Sequence, residues 1–494
     1  MSGMRVLFVN HGVSPGGLRA NIDPVLARCG GIFSKADYAI PPIGLLSCTT
    51  YVEARVKDAA CELVDLSVEG LHGERALARL VPLGGRVLVT TPASASLEPD
   101  LEFCRAWQQA GESRWVVSLG SHVTEEPESV LKADRWIAVR GEPEEVLARV
   151  VTSLAQEPHG HLLPEDLPGL SFRREGRSFH HPRHAELLDL ARIPIPDHTR
   201  LSRYHYSPPF ARPGRFDLVV TSRGCPFGCL FCASQSVYGR RQRPRPVPEV
   251  LREVQHLARD CGVRNIGFWD DNLTTVRERT LELCRGLNRL PERVGWICLS
   301  RVDTVDGDLL RAMAGAGCYQ IQYGVESGSE RVRALLGKPQ DLATVKTTFA
   351  ETRRARIETA AFFMLGVPGE TAAEREQTVE LALDLDPDYV SFNVCTPLPG
   401  SPLYRALPGA GRQESWRTMD AKVASTWSGD DGDAEAVERA LREAYRRFYF
   451  RPRTLTRQLA RLRSTGDALR LARAGWVVAR ESLLGGRSLP ARAR

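Results

Sequence analysis

Nowhere does the 494-residue chain run together the roughly eighteen apolar residues that a membrane-spanning helix needs. Its opening, Met-Ser-Gly-Met-Arg-Val-Leu-Phe-Val-Asn-His, has too short an apolar run for a signal peptide and reads as a first β-strand. No charge of one sign prevails: 66 basic residues against 60 acidic ones leave +6, which excludes the strongly basic footprint of a nucleic-acid binder. The twelve cysteines include no set of paired short spacings, so a disulfide scaffold is excluded and a reducing cytoplasm is expected. With 43% hydrophobic and 26% charged residues, the composition is that of an ordinary globular protein, and its length implies two to four domains.

Three of those cysteines stand together. Thr221 to Ala233 reads T-S-R-G-C-P-F-G-C-L-F-C-A, with Cys225, Cys229 and Cys232 in a C-x3-C-x2-C spacing. β-forming residues from Phe216 to Val220 lead into it, and Gly224, Pro226 and Gly228 punctuate it, so it reads as a shaped loop at a strand end. Thiolates select iron–sulfur clusters or zinc. Three cysteines do not close a four-coordinate zinc site, and no fourth Cys or His follows at finger spacing. A 4Fe–4S cluster on three thiolates leaves one iron open to a ligand. The competing reading is three cysteines buried as small hydrophobes.

This motif, with Phe231 before the last cysteine, resembles the signature of the radical S-adenosylmethionine (radical SAM) enzymes. In that family the open iron chelates SAM, whose reductive cleavage yields a 5′-deoxyadenosyl radical. The residues downstream form six strand–helix units, which predicts a partial (β/α)6 barrel over 214–408 with its site at the carboxyl ends of the strands. The resemblance implies SAM contacts there: Asp270 and Asn272 after the second strand, Ser300 and Arg301 after the third, Glu326 after the fourth, Gly366 after the fifth and Pro397 after the sixth. Glu326 is the strongest of these, since a carboxylate accepts hydrogen bonds from ribose hydroxyls. Barrel-rim turn chemistry is the plainer alternative for each. No catalytic residue is assigned.

Strands and helices alternate over 1–155 as well, which predicts an α/β, doubly wound, Rossmann-like sheet with ligands at the strand ends. Its P-P-I-G-L-L, S-L-G-S-H-V-T-E-E-P-E and V-R-G-E-P-E-E-V-L segments resemble the cobalamin-binding domain that precedes the barrel in one radical SAM subgroup. Thr91, Ser94, Gly120 and Gly141 are the implied cobalamin contacts, against ordinary turn chemistry. The D-x-H-x-x-G motif that gives cobalt a histidine elsewhere is missing, and His11 and His122 stand in another context.

Prolines break up 156–213, read as a connector with a short hairpin across R-E-G-R. Its histidines, 159, 161, 180, 181 and 184, read as solvated loop and not as metal ligands. From 409 to 494 a helical region is expected: Glu435 to Phe448, Leu455 to Arg463, and Ala468 to Arg480. It packs on the barrel and closes the substrate pocket in one reading. It touches a membrane surface, or an acidic partner, in two others. The resemblance thus implies a cytoplasmic enzyme with a 4Fe–4S cluster, SAM and cobalamin, supplied with electrons by a flavodoxin or ferredoxin. Methylation of an unactivated carbon of a small, specialised (antibiotic-type) metabolite through methylcobalamin is the leading expectation. A non-methylating cyclisation, ring rearrangement or oxidation is the second, and an RNA-modifying methylthiotransferase a distant third.

Overall fold

The computed structural model describes residues 3–11, 40–157, 167–183, 187–206, 210–406 and 434–460, with isolated positions besides. His159, His161, His184 and the helix expected over 468–480 lie outside the described residues.

Five parallel strands open the fold: β1 (Met4–Asn10), β2 (Ala59–Asp65), β3 (Val87–Thr90), β4 (Trp115–Leu119) and β5 (Trp136–Val139). Their spatial order is 2-1-3-4-5, so the chain reverses direction between β1 and β3 and leaves a crevice at the carboxyl ends there. Helices α1 (Ile43–Arg55) and α2 (Glu144–Gln156) cover one face. Helices Gly73–Leu80 and Leu97–Gln109 cover the other. The strands are buried on both faces and accordingly read as continuous apolar runs such as Val-Leu-Phe-Val.

The hairpin expected in the connector is present as β6 (Leu170–Arg174) and β7 (Arg177–His180). It does more than connect. It pairs antiparallel with β5 and extends the first sheet to seven strands. Its histidines are engaged by protein groups: His180 by Ser171 and Glu128, His181 by the Leu167 carbonyl.

The second sheet has six parallel strands in simple sequence order: β8 (Arg215–Val219), β9 (Val263–Phe268), β10 (Gly295–Ser300), β11 (Cys318–Glu326), β12 (Glu358–Leu365) and β13 (Tyr389–Val394). This is an open half-barrel with helices outside, including α3 (Val247–Arg259). One apolar core joins the two sheets. It runs from α1 and α2 through Leu201, Tyr204, Tyr206 and Phe210 of the connector to Trp269, Ile297 and Ala360 of the barrel. The C-terminal region is helical, with α4 (Ala434–Tyr449) and α5 (Pro452–Ala460). α4 packs on the barrel, along the free edge of β13. The Tyr445 and Tyr449 hydroxyls bond the backbone of Phe392 and Val390. No helix among the described residues is long and apolar enough to cross a membrane.

Candidate active site

The loop carrying Cys225, Cys229 and Cys232 leaves β8 and is fastened at both ends. Ser222–Arg223 pairs antiparallel with Arg243–Pro244, so a two-stranded ribbon brackets the loop. Gly224 has φ +82°, and a Cβ there would meet the Arg241 carbonyl and stand 3.0 Å from that of Tyr238, so only glycine fits. The middle of the loop is stitched across the barrel mouth through one residue. The Leu230 amide donates to the Leu336 carbonyl at 2.9 Å, and the Leu230 carbonyl accepts from Leu403 at 2.8 Å. The Gln235 amide side chain donates to the Phe227 carbonyl at 2.7 Å.

Burial holds the three thiols neutral. It pushes Cys225 up to about 11 and Cys232 up to about 12, and it raises Cys229 as well, where the Lys338 ammonium opposes it. Among the described residues, no three His, Cys, Asp or Glu side chains converge closely enough for one metal ion. Three thiolates fall one ligand short of a four-coordinate structural zinc site. Thiolates are the ligands that hold iron–sulfur clusters, and three of them on one loop fit such a group. Any such group requires the thiols to lose their protons on binding.

Polar groups from the next strands surround the loop. The Arg301 guanidinium lies 3.9 Å from the centroid of the Phe227 ring, and its Nη1 is 3.9 Å from the Cys229 Sγ. Asp303 holds it through bonds of 2.8 and 2.6 Å. Ser300 and Asn272 join Thr274 and Thr304 in a hydroxyl–amide network, and the Asn272 Oδ1 accepts from the Arg301 amide at 3.2 Å. Glu326 ends β11 at φ +71°, where the pairing with β12 slips by a residue. Its Oε1 accepts from Lys338 at 2.7 Å, and both side chains are buried.

Gly366 and Pro397 stand on the rims of β12 and β13. They flank a small apolar cluster of Val332, Leu336, Met364, Val367 and Cys395, against which Phe231 packs. The Gly366 amide donates at 2.6 Å to Glu370, whose carboxyl burial pushes up to about 7.

Asp270 takes a different part from the one expected. It sits at the end of β9, but its carboxylate accepts from the Thr221 amide at 2.7 Å and from the Thr221 and Ser222 hydroxyls at 2.6 Å. With 0% exposure it is spent on shaping the cysteine loop, and we assign it there and not to SAM. Its neighbour Asp271 holds the Ser234 hydroxyl at 2.9 Å. Lys338 and Phe227 escaped the sequence reading. Phe227 lies inside the motif, while Lys338 stands twelve residues past its partner with no pattern to mark it.

The first sheet turns its carboxyl ends toward this loop. The segment after β4, Ser121–Glu125, packs on helix Ser234–Tyr238, which directly follows Cys232. Glu126 accepts from the Tyr404 hydroxyl at 2.9 Å, and Glu125 from Arg405 at 3.0 Å. Thr91, Ser94, Gly120 and Gly141 all lie on this end. Gly120 and Gly141 have φ +116° and +82°, and nothing stands within 4 Å of where a Gly141 Cβ would be. The Ser94 hydroxyl bonds His122 Nδ1 at 2.8 Å, and Ser129 holds Nε2 at 2.8 Å. Burial drops that imidazole to about 3. His11 meets Asp100 at 3.1 Å through Nδ1 and Thr90 through Nε2. Both histidines are therefore engaged by protein groups, so a corrin here would meet small residues and glycine backbone instead of an available imidazole.

Residues 219–382 match the family model of the radical SAM superfamily. Those residues are a radical SAM domain. An uncharacterized methyltransferase of Pyrococcus horikoshii is 28% identical, with 85% of this chain and 90% of that protein aligned. The anaerobic magnesium-protoporphyrin IX monomethyl ester cyclase of Cereibacter sphaeroides is 27% identical over 82% of this chain and 64% of its own length. Among solved structures, the cobalamin-dependent SAM radical enzyme OxsB, with aqua-cobalamin and SAM bound, overlaps 96% of this chain and 72% of its own at a TM-score of 0.69 and 14% identity. The radical SAM methyltransferase TsrM of Kitasatospora setae, with cobalamin and a [4Fe-4S] cluster bound, overlaps 82% of this chain and 74% of its own at 0.63 and 16%. At these identities the structural likeness establishes the fold.

Proposed function

We propose that this radical SAM enzyme uses a 4Fe–4S cluster on Cys225, Cys229 and Cys232 together with SAM and cobalamin, and methylates an unactivated carbon of a small molecule. The supporting observation is the docking of the first sheet's carboxyl ends on the cysteine loop, in a fold shared with two proteins solved with cobalamin. When bound, the cluster delivers the electron that cleaves SAM, and cobalamin carries the methyl group.

The chain's own residues bind and exclude. Glu326 offers its carboxylate to ribose hydroxyls at the end of β11. Arg301 and the Ser300–Asn272 network line the side next to Cys229. The apolar cluster between Gly366 and Pro397 offers a dry wall to a base. Thr91, Ser94, Gly120 and Gly141 offer the opposite face to a corrin. Water excluded from the space between leaves a radical no partner but the substrate.

The test is anaerobic reconstitution followed by iron and cobalt analysis and incubation with SAM and a reductant. About four irons and one cobalt per chain are expected, with both S-adenosylhomocysteine and 5′-deoxyadenosine formed when substrate is present. The likeness to the cyclase over most of the chain favours a second reading, a ring closure without methyl transfer. In that case 5′-deoxyadenosine forms and S-adenosylhomocysteine does not.

A further inference from the structure

We infer that Lys338 is a positioning residue of this site: its ammonium holds the Glu326 carboxylate at the end of β11 and offsets that carboxylate's negative charge beside the loop at Cys229. The inference rests on the reading of the cysteine loop and Glu326 proposed above.

Lys338 is 5% exposed, so its charge is withdrawn from water and must be met by a partner. That partner is Glu326 Oε1 at 2.7 Å. The second oxygen, Oε2, makes no hydrogen bond to any described residue. The ion pair rests on a shelf. A Cβ on Gly324 would meet Glu326 Oε1 and come within 2.5 Å of Lys338 Nζ, so the pair lies directly against the glycine. Glu326 itself is in the left-handed backbone region, which an L-residue keeps only under constraint, and Lys338 supplies one. The carboxylate is thereby aimed with one oxygen fastened and one left for a pair of ribose hydroxyls.

The same turn touches the cysteine loop through its backbone. Leu336 accepts from Leu230, and a Cβ on Gly337 would stand 2.9 Å from the Gly228 carbonyl and 3.2 Å from the Leu230 side chain. Residues 336 and 337 thus grip both neighbours of Cys229, and Lys338 follows immediately. On the other side Arg301 brings its Nη1 to 3.9 Å from the same sulfur, though Asp303 balances that charge. Without the ammonium the Glu326 charge would stand unbalanced beside Cys229, and added negative charge near an iron–sulfur centre disfavours the reduced form, because net charge helps to set its potential.

The experiment uses the full chain, reconstituted anaerobically, as wild type, Lys338→Met and Lys338→Arg, after thermal melts and iron counts. The cluster's midpoint potential is read by EPR-monitored titration without SAM. Nucleoside affinity is read by calorimetry with S-adenosylhomocysteine. Lys338→Met is expected to shift the potential to a more negative value and to weaken nucleoside binding at least tenfold. Lys338→Arg is expected to restore the potential but only part of the affinity, because the broader guanidinium does not fit the Gly324 shelf. Wild-type potential or wild-type affinity in a folded, iron-loaded Lys338→Met would overturn this inference alone. A wild-type chain that takes up no iron would overturn the site reading and this inference with it.

Discussion

The imidazole of His198 is wholly buried, and burial alone would strip its proton. Asp217 at 3.0 Å and Glu253 at 3.1 Å reverse that and raise it to about 10. Glu253 also takes Arg245 at 2.6 Å, so one connector residue is locked into a charged group under the barrel. An unfolded histidine releases its proton near pH 6.5, while this one keeps it, so the unfolded chain binds fewer protons between those values and stability falls as pH rises. The contribution is fully present below about pH 6.5 and lost through about pH 10, at a limit of about 1.4 kcal/mol per pH unit. Urea midpoints measured from pH 6.5 to 9.5 are expected to decline more steeply in the wild type than in His198→Gln, and parallel slopes would remove His198 from the account. Nothing in the sequence marks this residue, because its partners lie 19 and 55 positions away. The cysteine motif was legible for the opposite reason, with three ligand thiols inside eight residues. Asp270 sits between these cases: its strand end could be read, but its engagement with Thr221 and Ser222, 49 and 48 residues earlier, depends on how two strands are laid side by side.

A half-barrel has two open edges, and exposed edges invite further strands. Four residues advance a helix by about 6 Å, and two advance a strand by about 6.6 Å, so tyrosines four apart on α4 match alternate residues of β13. Tyr449 bonds the amide and carbonyl of Val390 at 3.1 and 2.8 Å, and Tyr445 those of Phe392 at 3.1 and 3.0 Å. A phenol both donates and accepts, so each hydroxyl satisfies two groups that a neighbouring strand would have met. Tyr445→Phe and Tyr449→Phe are each expected to lower unfolding free energy by about 1–3 kcal/mol in urea, and the double variant to self-associate as its edge is bared. Unchanged stability in both would show that water serves the edge equally well. The helix α4 was readable in sequence, and so were the six strand–helix units of the barrel, because short β-forming runs alternate there with helix-length segments. Where α4 lands was not readable, since the match between two repeats appears only when the elements are adjacent. The hairpin in the connector was visible through its turn residues, yet its pairing with β5 depends on an edge that sequence does not show.

The two sheets meet through buried charge as well as through a shared core. Glu142 and Glu144 follow β5 at the end of the first sheet that also carries Gly141. Glu144 binds Arg223 closely, with a second contact at 3.1 Å, and Glu142 reaches Arg223 at 3.4 Å and Arg243 at 2.6 Å. Those arginines are the paired strands on either side of the cysteine loop, so the first domain grips the loop at both ends of its ribbon. The Arg223 guanidinium and Glu144 are almost fully enclosed, and their mutual attraction lowers the carboxyl's pKa despite the burial that would raise it. Removing one partner from such a pair strands the other charge and costs about 3–5 kcal/mol, whereas an exposed pair contributes at most about 1. Glu144→Gln is therefore expected to lower the melting temperature and to loosen the loop, so that the reconstituted chain retains less iron after gel filtration. Lys346→Gln serves as the control, because Lys346 and Asp384 pair at 2.7 Å while more than half exposed. The sequence showed an acidic run after one strand and arginines about a cysteine motif some 80 residues later, without showing that they meet. If Glu144→Gln keeps its iron and melts with the wild type, the first domain rests beside the cysteine loop without fixing it, and the proximity of the two candidate sites has no mechanical link behind it.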